Sequence, residues 1–93
     1  MDVTELLDAY RQLWTKRELS VENGELETLK SAVEKELKDE MTHPRLRKNI
    51  YEKFQLAIKR IVFSSLNDTE KVELIAFHNN VLEKLEARNH EEE

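Results

Sequence analysis

Acid–base or metal chemistry in this chain would have to start from its three histidines, His43, His78 and His90, and no two of them stand four residues apart. A hydrolytic nucleophile needs a base and an orienting acid within reach. Ser64 and Ser65 have no histidine at helical spacing. Glu86 and His90 are four apart and could share a metal ion, but Arg88 to Glu93 contains no apolar residue to anchor that end. One glycine leaves no phosphate-binding loop, and the absence of cysteine leaves no thiolate site. The expectation is a protein without catalytic residues, metal site or cofactor, and not an enzyme.

His78 falls near the middle of an apolar helix face, between Leu74 and Val81. A histidine at the core edge with one ring nitrogen hydrogen-bonded is the plain reading. The sharper one is a pH-sensitive packing position, because protonating a buried imidazole costs stability.

The strongest anomaly is one of charge. Between Pro44 and Arg60 stand Arg45, Arg47, Lys48, Lys53, Lys59 and Arg60, with Glu52 the sole acid. That segment carries +5, and the remainder of a chain with net charge −5 therefore carries −10. On a helical projection Leu46, Ile50, Phe54, Ala57, Ile58 and Ile61 form the core side, with Tyr51 and Val62 at its edge. Arg45, Lys48, Lys53, Lys59 and Arg60 lie on the opposite arc, and Leu56 and Phe63 point the same way, seven residues apart. Apolar side chains inside a basic arc form a candidate partner surface, which predicts that Leu56 and Phe63 are at least partly exposed. Two alternatives stand beside it. The helix is covered on two sides, or the cations complement acidic flanks of neighbouring helices.

The elements that position these groups follow from a hydrophobic period near 3.6. A first helix over about 3–17 starts at Asp2, with Glu5 at capping-box spacing, and buries Trp14. Ser20, Asn23 and Gly24 mark a connection. A second helix, about 25–40, carries Leu26, Leu29, Val33, Leu37 and Met41. Thr42-His43-Pro44 opens a third over about 44–66, since proline suits the first helical position. Asn67 and Glu70 cap a fourth over about 68–87. Short connections favour an all-α, antiparallel up-down-up-down four-helix bundle, with residues 1–87 as a single domain and 88–93 as a frayed acidic tail.

The composition agrees. Charged residues make up 38% of 93 residues, with one glycine and one proline, too few for the tight turns of an all-β domain. The acidic balance argues against general nucleic-acid binding. No apolar run is long enough for a transmembrane helix. The N-terminus lacks the basic-then-apolar pattern of a secretory signal. A cytoplasmic location is expected.

The layout from Leu26 to Leu85 resembles the enterocin A-type (pediocin-like) bacteriocin immunity proteins. The matching pattern is a charged helix striped Leu26 to Leu37 and the turn Thr42-His43-Pro44. Leu46-Arg47-Lys48-Asn49-Ile50-Tyr51 with Ala57-Ile58 follows, and then a last helix from Glu73-Leu74-Ile75 to Val81-Leu82. The resemblance implies a cytoplasmic four-helix protector that acts on a membrane receptor–bacteriocin complex, with specificity in its C-terminal half. This chain is acidic where many members of that family are basic. A second stretch, Asn49 to Lys53 and Lys59 to Val62 together with Leu13 to Arg17, resembles the helical domain of replication-complex GINS subunits. The expected function is a non-catalytic protein-interaction module, with bacteriocin immunity as its concrete form and a structural subunit of an oligomer as the alternative. A protein partner is expected, and no small-molecule substrate.

Overall fold

The computed structural model describes residues 2–13, 24–39, 42–46 and 48–92, with side chains through residue 88. Four α-helices stand among them: α1 (Val3–Gln12), α2 (Glu25–Leu37), α3 (Ile50–Val62) and α4 (Asp68–Glu92). They form an all-α four-helix bundle. Its core is drawn from Leu7 and Tyr10 of α1, Leu29, Val33 and Leu37 of α2, Ile61 of α3, and Leu74, Val81, Leu82 and Leu85 of α4.

The helix starts are set by side-chain caps. Asp2 Oδ1 accepts the Glu5 N–H at 2.9 Å. Asn67 Oδ1 accepts the Glu70 N–H at 2.8 Å while Glu70 Oε1 accepts the Asn67 N–H at 3.1 Å, the reciprocal box expected from spacing. At α2 the cap is Gly24, whose φ of +95° lies in the region that glycine occupies without strain.

Several boundaries differ from expectation. Pro44 opens only a 3-10 turn, Pro44–Leu46. The third helix starts at Ile50 rather than at Pro44, because Asn49 outcompetes the turn as a cap. Asn49 Oδ1 accepts the Glu52 N–H at 2.9 Å and its Nδ2 donates to Glu52 Oε1 at 3.0 Å. Leu46, placed on the core side by the projection, is exposed in that turn. The helix ends at Val62 rather than 66, where Ser64 Oγ donates to the Ile61 carbonyl at 2.6 Å. Asn49→Ala should cost about 1 kcal/mol in urea unfolding, whereas Pro44→Ala should cost less; the reverse order would restore Pro44 as the helix start.

α2 ends at Leu37, short of 40, because Asp39 turns the chain with φ +56°. α4 runs to Glu92 instead of fraying after 87, with Leu85 packed in the core and Arg88 paired to Glu34 of α2. Trp14, Ser20, Asn23, Met41, Arg47 and the expected end of α1 lie outside the described residues.

The α2 and α4 helices pack on each other, and α1 and α3 flank that pair; among the described residues α1 and α3 do not meet. α2 and α3 run in opposite directions. Glu36 of α2 and Asp39, two residues beyond its end, reach Arg60 and Lys53 of α3 in reverse order. α1 departs from strict alternation. Thr4 at its start bonds Glu25 at the start of α2 (2.8 Å), and Tyr10 near its end bonds Glu36 near the end of α2 (2.8 Å), so the two helices run in the same sense.

Candidate functional site

The basic arc of α3 is divided by what packs beside it. Lys53 and Arg60 lie next to the core side and turn toward acids in and just after α2. Lys53 Nζ is 3.5 Å from Asp39 Oδ1, and Arg60 Nη1 is 2.5 Å from Glu36 Oε1. For these two cations, complementing an acidic neighbour is the reading that holds. Lys59 remains on the outer face with Leu56 and Phe63, which are 40% and 85% exposed. The expected partial exposure of both apolar residues is present. Tyr51 and Val62 are exposed as well. Arg45 and Lys48 are exposed ahead of α3 and not on it. Lys48 contributes its backbone N–H to Asp39 Oδ2 at 3.0 Å.

Glu36 organises a second cluster, to which each helix contributes one side chain. Tyr10 of α1 donates its hydroxyl to Oε2, Arg60 of α3 pairs with Oε1, and His78 Nε2 of α4 lies 3.8 Å from Oε2, an ion-pair rather than a hydrogen-bond separation. The other ring nitrogen of His78, Nδ1, is 2.7 Å from the Leu74 carbonyl. A carbonyl only accepts, so Nδ1 carries the proton and Nε2 is the nitrogen that faces the carboxylate. The Tyr10 and His78 rings stand 5.9 Å apart.

His78 is 1% exposed and Tyr10 fully buried. The expected cost of protonating His78 presumes an apolar setting. A carboxylate oxygen 3.8 Å from Nε2 means that setting is not apolar. Burial pushes the Glu36 carboxyl upward, but His78, Tyr10 and Arg60 together hold it below its ordinary range.

Glu36 is a residue that sequence reasoning missed. It lies seven residues after Leu29 and three after Val33, so the same projection that marked His78 places it on the buried stripe of α2. Asp39 was missed too. Its carboxylate accepts the Lys48 N–H and the Thr42 hydroxyl (2.8 Å) and faces Lys53, and these contacts hold it below the ordinary aspartate range. No glycine follows α2, and aspartate tolerates the left-handed position better than most residues. Glu34 is raised by burial, but Arg88 and Lys38 bring it below its usual value.

These lowered carboxyls fix the sign of the acid response. Each group contributes stability that is present above the ordinary carboxylate range and lost as pH falls through its folded-state value. Urea midpoints should therefore fall as the pH drops below about 4, and Glu36→Gln should flatten that decline. An equally steep decline in the variant would remove Glu36 as a contributor.

No helix among the described residues is long and apolar enough to cross a membrane. The His90 side chain of the Glu86–His90 pair lies outside the described residues. A family model matches residues 1–93, the full length of the chain. The chain belongs to the YoyC family. A YoyC relative from Bacillus subtilis (strain 168), which bears the name "Uncharacterized protein YoyC", is 39% identical over 88 residues, covering 95% of this chain and 94% of the relative. No solved structure matches this YoyC family member.

Proposed function

We propose that the protein is a non-catalytic protein-interaction module whose contact face is the outer side of α3. The observation that carries this reading is the exposure of Leu56 and Phe63 beside Lys59, on a helix that among the described residues packs only on α2 and α4. Apolar side chains that serve no core are a feature of recognition surfaces. The groups best suited to acid–base work, Tyr10, Glu36 and His78, are sealed from any substrate, which supports a non-catalytic role.

The resemblance to immunity proteins supplies a concrete version, a protector acting in the producer's cytoplasm on a membrane receptor–bacteriocin complex. Expression in a sensitive strain should then protect against at least one pediocin-like bacteriocin, and failure across a broad panel overturns that version. The broader reading is tested with a photo-crosslinking residue at Phe63, compared with one at exposed Ala76 of α4. A discrete protein adduct from position 63 in cells, lost on Leu56→Asp, is expected. Adducts no different from those at position 76 would overturn the assignment of the face.

A further inference from the structure

The outer stripe of α3 carries one more regularity. Glu52, Leu56, Lys59 and Phe63 follow one another at intervals of four, three and four residues, the spacing of a helix–helix seam. All four are exposed. Lys59 has no ion-pair partner among the described residues. Glu52 and Lys59 have opposite signs and stand seven residues apart, about 10 Å along the same face. A helix face with that arrangement is complementary to itself in the antiparallel sense.

We infer that this face docks a second copy of the same chain, α3 against α3, across a two-fold axis that passes between Gln55 and Leu56. This rests on the reading of the α3 face as a contact surface and names its partner. In an isologous contact, residue i of one protomer meets residue j of the other and the reverse. With the axis at that point each Lys59 faces Glu52 of its partner, so two ion pairs form. The two Leu56 side chains meet beside the axis. Each Phe63 lies toward Lys48, just ahead of the opposite α3, a contact between an aromatic ring and a cation. Neither Glu52 nor Lys59 is needed inside the bundle, apart from the Glu52 contact with Asn49 at the helix cap.

The size of the contact sets its strength. α3 spans 13 residues, or about 20 Å, and a single crossing of that length buries less than the roughly 1,200 Å² of a stable interface. The expected species is a reversible dimer, formed at about 1 mM chain and dissociated at about 1 µM.

Sedimentation velocity over that range is the test, with thermal unfolding by circular dichroism to verify that each variant is folded. The parent should approach twice the monomer mass. Lys59→Glu and Glu52→Lys should each reduce it to a monomer by setting like charges opposite one another, and Leu56→Asp should do the same without touching the helix cap. The double variant Glu52→Lys/Lys59→Glu should restore the dimer, because the exchange regenerates both pairs. The chain has no cysteine, so Leu56→Cys should form an intermolecular disulfide readily under mild oxidation. Phe63→Cys should not, since its two copies lie roughly 20 Å apart. A parent that stays monomeric, single exchanges that leave the dimer intact, or a double exchange that fails to restore it would each overturn the pairing. Discrete adducts from position 63 to another protein, with a monomeric parent, would retain the interaction-module reading and remove only the second copy.

Discussion

Glu36→Ala is expected to destabilise the bundle by about 3 kcal/mol, read as a fall in the urea midpoint with little change in slope. The substitution removes the acceptor for the Tyr10 hydroxyl and the counter-charge for Arg60 together, and empties the space beside His78. Taking the carboxylate partner away from a buried donor such as the Tyr10 hydroxyl costs about 1–3 kcal/mol. The guanidinium of Arg60 is about one-third exposed, so it can turn to water, which keeps the total toward the lower end for a broken buried pair. Glu36→Gln retains an acceptor and should lose less. Tyr10→Phe should lose least, because the carboxylate still has Arg60. A Glu36→Ala protein within about 0.5 kcal/mol of the parent, the range of a neutral surface change, would show that the cluster contributes nothing to stability.

The second large effect is a contrast between two apolar residues. Leu74 is fully buried in the core cluster that α1, α2 and α3 share with α4, and Leu74→Ala should cost about 2–5 kcal/mol through lost burial and the cavity left behind. Phe63 is the larger side chain, yet it stands in solvent, and Phe63→Ala should change stability by less than about 0.5 kcal/mol. Equilibrium unfolding of the two variants beside the parent measures both. A stability loss at Phe63 comparable to that at Leu74 would mean the ring packs within the monomer and would remove it from the contact face.

The helices are legible because α1 to α4 each repeat apolar residues at the helical period, and Asp2 and Asn67 stand at capping distance from a glutamate. Asn49 stands at that same distance from Glu52. Pro44 masks it by offering an earlier start, and proline's fixed φ serves a 3-10 turn equally well. The exposed pair Leu56 and Phe63 is legible from their position opposite Ile61. The fate of Lys53 and Arg60 is not, because at the border of a helix face the neighbour decides, and a one-helix projection contains no neighbour. Glu36 is hidden by its own charge: a glutamate on an apolar stripe reads as an interruption until three partners from other helices are seen around it. The sense of α1 is beyond reach for a different reason, since periodicity determines faces and not directions.

One consequence concerns how the molecule comes apart. Among the described residues α1 is the shortest of the four helices and does not meet α3, so it is the element most able to detach on its own. Its Tyr10 hydroxyl is bound to a carboxylate that Arg60 and His78 also hold. Removing α1 would uncover that carboxylate, and loosening α3 would take away the Arg60 charge that keeps it ionised and in place. Glu36 thereby makes the departure of one helix a cost to the others. The bundle is expected to lose its helices in a single cooperative transition, with amide protons of α1 exchanging as slowly as those of α4.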